Sequence, residues 1–265
     1  MDADQPLMLK IFKYITTKLS GAGLLLFILF IILLVFSTGF NLYQLVEELS
    51  SPNIWFLIYI YGVLSSIVID VIVHKIPKLK SKLNVSEDTL KASLYAIAGF
   101  GVFQIWGLDP FTIFAGVIGA GSAFIFYLGT RAAEQVKSFR YLFAILIPLF
   151  ICILLTIDFT SKSGWTEERT DTSYTASFDY LNGRHEIPID LEEGQLFTVT
   201  YEINTTNGAG HGFHIRNDKN QYVGMDHISD DPFLLQLHVE EAGTYKVVVT
   251  GYKVRGNFTV DWTIE

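Results

Sequence analysis

The stretch YLFAILIPLFICILLTI, residues 141–157, decides how the chain is read. It carries no charge, and the composition changes across it. Residues 1–160 hold 11 Lys or Arg against 10 Asp or Glu, a net of +1, whereas residues 161–265 hold 8 against 17, a net of −9. Before it lie long apolar runs, and after it apolar and polar residues alternate between turn signals. The boundaries that follow are a membrane domain over 1–158, a polar linker over 159–165 and a β domain over 166–265.

The composition agrees with this division. Of the 265 residues 50% are apolar and 14% aromatic, with positive mean hydropathy, which suits a partly membrane-embedded chain. The acidity belongs to the second part and opposes nucleic-acid binding there, leaving cationic partners or a divalent metal as compatible ligands. Cys152 is the only cysteine, so no intrachain disulfide can form, and the β domain must be held by its core.

Working back from residue 141, the run 92–130 is too long for one crossing and is cut by Gly107-Leu108-Asp109-Pro110. Proline removes a helix donor and biases the residue before it away from helix, so two helices, 91–106 and 111–129, are expected. The first is short and glycine-bearing, and a four-span arrangement with it re-entrant or interfacial is the alternative. Two earlier runs, 19–40 and 54–73, complete five spans. The first follows Lys10, Lys13 and Lys18 in the manner of a signal peptide, with Ser37-Thr38-Gly39 as a cleavage candidate. Its length favours a retained helix.

With five spans, every Lys and Arg of the membrane domain falls on one side, in the N-terminal segment and the loops 74–91 and 131–140. The segments carrying Glu47, Glu48 and Asp109 fall on the other. Basic loops stay in the cytoplasm, so the expected topology is a cell-membrane protein with a cytoplasmic N-terminus and an extracytoplasmic β domain. Ala115, Gly119 and Ala123 at four-residue spacing, with Gly99, Gly101, Gly116 and Gly121, give a small-residue face for close helix packing or, alternatively, a substrate path. The intramembrane polar candidates are Asp70, with His74 one turn on as its expected ion-pair partner, and Gln104 as an interhelical hydrogen bonder.

In the β domain, strands are expected over 174–180, 185–189, 196–203, 212–216, 222–227, 233–240, 243–251 and 256–264. Breaks fall at Asn182-Gly183, Glu193-Gly194, Asn207-Gly208 and Asn217-Asp218. Phe197, Val199, Tyr201 and Ile203 alternate with Leu196, Thr198, Thr200 and Glu202, one face toward a core and one toward water. The expected fold is an antiparallel jelly-roll-like sandwich following a membrane helical bundle. The segments IPIDLEEGQLFTVTYEI and VEEAGTYKVVVTGYKVRGNFTVDWTI, with Ala242-Gly243-Thr244-Tyr245 and Gly256-Asn257-Phe258, resemble the small β-sandwich ectodomains of the GOLD and bacterial pre-peptidase C-terminal type. That resemblance covers residues 173–265 and implies a noncatalytic module that binds carbohydrate, protein or lipid, or spaces other domains.

Two groups could carry metal chemistry. His211 and His214 are three apart, so on a strand they face opposite sides, and they can act together only if Gly208, Gly210 and Gly212 make a loop. Asp226, His227, Asp230 and Asp231 offer carboxylates and an imidazole for calcium or another divalent cation; a solvated turn explains the same residues. No nucleophile elbow, phosphate loop or organic-cofactor motif is present. The function expected is binding, sensing or accessory work by the β domain on a protein or carbohydrate ligand, with the bilayer and a further membrane protein as partners. Transport through the glycine-rich spans and a metal-dependent enzyme are the alternatives.

Overall fold

The structure, a computed structural model, describes residues 6–75, 86–228 and 233–265, and of Trp106 the backbone alone. Lys78, Lys80 and Lys82 of the basic loop, and Asp230 and Asp231 of the metal candidates, lie outside the described residues. The chain divides into two compact units, Met1–Ile157 and Asp158–Glu265.

The first unit is helical. Helix α1 spans Leu7–Ser37, α2 Leu42–Leu49, α3 Pro52–Lys75, α4 Glu87–Gly101, α5 Pro110–Gln135 and α6 Lys137–Leu154. Among the described residues, α1, α3, α5 and α6 are long and apolar enough to cross a membrane, four where the sequence reading counts five. The difference is α4, which is 15 residues long and then tightens into a 3₁₀ turn, Val102–Trp106.

The caps explain the boundaries. The Asp109 carboxylate accepts from the Phe111 and Thr112 N–H groups, the Thr112 hydroxyl answers the Asp109 N–H, and Pro110 occupies the first helical position, where a missing donor costs nothing. Ser86 caps α4 by accepting from the Thr89 N–H, ahead of Glu87 and Asp88 in the favourable first turn. The basic N-terminal segment is helical rather than preceding the helix: α1 begins at Leu7, so Lys10, Lys13 and Lys18 all lie on it.

Polarity in this unit runs opposite to that of a water-soluble protein. The buried face of α1 is made of Thr16, Thr17, Lys18, Ser20, Gly21, Ala22, Gly23 and Leu26. Phe36, Phe56, Leu64, Phe111, Phe114 and Phe150 are among the large apolar side chains left outside. Such a surface suits lipid. Small residues set the helix contacts: a Cβ on Gly119 would stand 2.2 Å from the Gly99 carbonyl oxygen, and one on Gly23 would run into the Phe143 carbonyl.

The second unit is antiparallel β throughout. Among the described residues its nine strands are β1 Ser161–Ser163, β2 Thr166–Arg169, β3 Ser173–Leu191, β4 Leu196–Thr205, β5 His211–Arg216, β6 Tyr222–Val223, β7 Asp226–His227, β8 Leu234–His238 and β9 Gly243–Ile264. Their hydrogen-bonded order is β1-β3-β9-β4-β8-β7, with β2 on β3, β5 on β9 and β6 on β5. Four expected strands fuse into two. β3 runs 19 residues straight through Asn182-Gly183, and β9 runs 22 through the segment 252–255. The turn signals there act as irregularities: the register shifts between Phe178 and Gly183, and Gly183, Lys253 and Gly256 take positive φ.

Each long strand therefore changes partners along its length. The first part of β9 pairs with Gly183–Leu191 of β3 and with β5, and the second with Ser173–Phe178 of β3 and with β4. Phe197, Val199, Ile215, Val247, Phe258 and Val260 close a core of almost completely buried side chains. The expected linker is strand in part. Ser161–Ser163 pair with Tyr180, Leu181 and Asn182, and the Trp165 ring stacks on Phe178 at 5.3 Å, because an apolar indole gains more on the core edge than in a solvated tether.

Candidate functional site

Asp70 is the centre of the charged cluster of the helical unit, and its partners are not on its own helix. From α1, Lys18 Nζ stands 2.5 Å from Oδ2 and the Tyr14 hydroxyl donates to the same oxygen at 2.9 Å. From α4, Lys91 Nζ lies 3.5 Å from Oδ1 and reaches Glu87 at 3.3 Å. The expected Asp70–His74 pair is replaced by these contacts; His74 is an exposed residue near the end of α3. Lys18 has 5% of its side chain accessible, so its charge depends on Asp70 for compensation. A second bridge, Arg131 to Asp88 at 2.7 Å, ties α5 to the start of α4 at the same end of the unit.

An apolar cavity of about 230 Å³ lies between α1, α3, α4 and α5, lined among others by Leu29, Ile58, Ile69, Tyr95, Gly99 and Phe126. Ser66 and Tyr95 share a hydrogen bond beside it. Gln104 stands at the far end of the α4–α5 pair, where Nε2 donates to the Thr112 carbonyl at 2.9 Å. Of the glycines of the small-residue face, Gly99 and Gly119 meet backbone to backbone, Gly116 meets the Gln104 and Phe100 side chains, and Gly101 and Gly121 face open space.

In the β unit the two histidines of the metal candidate are separated by their strand. His211 and His214 both lie in β5, opposite Gly251 and Val248 of β9, so the loop that would let them act together is absent and their side chains leave opposite faces. His214 Nε2 accepts from Arg216 Nε at 3.1 Å, and His211 Nδ1 lies 3.2 Å from the Ala209 carbonyl. Asp226 and His227 are exposed on β7, which pairs with β8 rather than with β5. Among the described residues, no group of three or more His, Cys, Asp or Glu assembles as a metal site.

Two aromatic groups were not visible as sites in the sequence. Tyr201 of β4 and Phe213 of β5 stack at 4.0 Å with rings 2° from parallel, and Phe233, 50% exposed, meets Tyr201 edge-on at 5.4 Å. Alternation placed Tyr201 on the core face; only the β4–β9–β5 order brings Phe213 to it. The other group surrounds His185. Trp165 and Tyr174 lie 4.7 and 5.0 Å from its ring, Lys162 Nζ donates to Nδ1 at 2.6 Å, and both Trp165 Nε1 and the Tyr174 hydroxyl donate to Glu167. Burial, reinforced by the Lys162 charge, pushes the His185 imidazole down to about 4. The two hydrogen bonds hold the Glu167 carboxyl below its ordinary range, and burial lowers Lys162.

No family model matches the chain, and no curated protein matches it. Among solved structures, the chain is similar to PliG of Aeromonas hydrophila, a periplasmic lysozyme inhibitor of g-type lysozyme, at 17% identity over 38% of this chain and 89% of that one. The TM-score is 0.25, a likeness that carries no argument about function.

Proposed function

We propose that the chain is a multi-pass protein of the cell membrane whose β unit is an extracytoplasmic, noncatalytic binding module of the GOLD or pre-peptidase C-terminal type, a sandwich folded about β3 and β9. The observation that carries the binding role is the Tyr201–Phe213–Phe233 group. Stacked rings half out of the core offer a rigid apolar surface to a sugar face or a peptide side chain at little cost in conformational entropy.

The membrane part of the reading has five crossings, with α4 and its 3₁₀ turn as the third. Fifteen α-helical residues rise about 22 Å and five 3₁₀ residues about 10 Å, together close to the roughly 30 Å of hydrocarbon. The segment also runs antiparallel along α5, through Asp88 with Arg131, Tyr95 with Tyr127, Gly99 with Gly119 and Gln104 with Thr112. An odd number of crossings puts residue 158 on the side opposite the basic N-terminus.

A second reading, passage of a small solute through the helical unit, draws on the cavity and on Asp70, the residue after the cavity-lining Ile69. The backbone contact between Gly99 and Gly119 weighs against it, because it closes the two helices on each other in the middle of the small-residue face. Two measurements test the first reading. A reporter fused after Glu265 that is active only in the cytoplasm is expected to be silent, and activity there overturns the topology. Purified full-length protein titrated with oligosaccharide and peptide panels is expected to bind one class about tenfold more weakly after Phe233→Ala, about 1.4 kcal/mol. Equal binding by wild type and variant removes the role of the aromatic group.

A further inference from the structure

Arg140 is buried in the first turn of α6, with 6% of its surface exposed, and among the described residues its Nε has no hydrogen-bond partner. The Tyr141 ring lies 5.4 Å from the guanidinium carbon. The carboxylates of the α1–α3–α4–α5 cluster are engaged elsewhere: Asp70 with Lys18 and Lys91, Glu87 with Lys91, and Asp88 and Glu134 with Arg131.

A second polar atom without a partner lies at the same level. Ser20 of α1 is fully buried, and among the described residues its hydroxyl has no hydrogen-bond partner. Helices α1 and α6 run parallel, since Gly23 and Phe27 meet Phe143 while Phe30 meets Phe150. Counting back three residues from Gly23 gives Ser20, and from Phe143 gives Arg140.

The third donor set is the end of α6 itself. This helix of 18 residues starts after Val136 with no side chain capping it, so its first N–H groups lack intrahelical acceptors. Lys137 and Arg140 add positive charge where the helix dipole is already positive, an arrangement stabilised by an anion. Side chains on a helix lean toward its N-terminus, which carries the Arg140 guanidinium toward those N–H groups.

We infer that Arg140, Ser20 and the N-terminus of α6 form a binding site for the phosphate of an anionic phospholipid. The flanking side chains favour a lipid over a free ion: Val136, Leu142 and Leu146 are exposed apolar residues of the same segment, placed to meet acyl chains. Lys137 beside Arg140 favours a net negative headgroup over a zwitterionic one. The site rests on the reading that the helical unit spans a bilayer.

The test uses full-length protein in a neutral detergent, with phosphatidylglycerol, phosphatidylcholine and inorganic phosphate as probes and binding read by native mass spectrometry. Phosphatidylglycerol is expected to bind at least about tenfold more tightly than phosphatidylcholine. Arg140→Gln is expected to weaken it about ten- to hundredfold, the loss of charge-assisted hydrogen bonds. Ser20→Ala, which leaves the helix intact, is expected to weaken it about two- to tenfold and carries the test if Arg140→Gln does not fold. Inorganic phosphate matching phosphatidylglycerol, with the same dependence on Arg140, supports the anion site and identifies a free ion as its occupant. Equal binding of the two lipids, or phosphatidylglycerol binding unchanged in both variants, overturns the site. Release of the chain from membranes by alkaline carbonate overturns the spanning reading instead, and the phosphate arm then still reads the site in solution.

Discussion

Replacing Asp70 by alanine tests whether the charged cluster holds the helical unit together. Lys18 has 5% of its side chain exposed and Lys91 has 24%, so once the carboxylate is gone Lys91 can turn toward solvent while Lys18 is left buried and uncompensated. Breaking one side of a buried ion pair costs about 3–5 kcal/mol. For a cooperative unit of this size about 1 kcal/mol moves the midpoint by roughly 2–4 °C, so Asp70→Ala is expected to unfold about 6–20 °C lower. The double variant Lys18→Met with Asp70→Leu removes both charges and fills their volume. It is expected to regain most of the loss, since a well-packed apolar pair is often as stable as the ion pair it replaces. The assay is thermal unfolding of the full chain at fixed detergent, protein concentration and heating rate, with Lys18→Met completing the cycle. An Asp70→Ala midpoint within about 2 °C of wild type, or a double variant no better than Asp70→Ala, would refute the argument.

Two further outcomes are expected. Gly119→Val, which drives a side chain into the Gly99 carbonyl, should lower stability by about 1–3 kcal/mol, measured by the same unfolding assay, because backbone cannot move aside cheaply. His185 is neutral in the fold down to about 4, whereas an unfolded chain protonates it near 6.5, so its share of stability is complete above about pH 6.5 and is lost as pH falls toward 4. A His185→Gln variant followed by tryptophan fluorescence should show a shallower loss than wild type over that window, and parallel curves would contradict the assignment.

What could be read from the chain was what local rules determine. The apolar runs, the Asp109-Pro110 start of α5 and the alternation that buries Phe197 and Val199 each depend on residues a few positions apart. What escaped was set by distant partners. Asp70 has a histidine one turn away, yet its ligands come from α1 and α4, since helix packing brought buried Lys18 within reach. Asn182-Gly183 has the sequence of a turn, but β9 lies alongside it and carries the strand onward. Ser161 to Ser163 are polar enough for a tether and become strand because the edge of β3 was available. Arg140 counted as one more charge in a basic loop; only its burial distinguishes it.

The partner exchange along β9 has a consequence for the order in which the β unit is made. β3, β4 and β5 are each synthesised before the strand that joins them, and neither half of the sheet has its central member until β9 emerges. During synthesis β3 has β1 and β2, β4 has β8 and β5 has β6, but each waits with the edge that β9 will cover left open, a state exposed to association with other chains. With the pairings of β9 to β3, β4 and β5 all long-range, assembly should come late and in a single step, and a cut within β9 should cost the whole unit rather than one half of it.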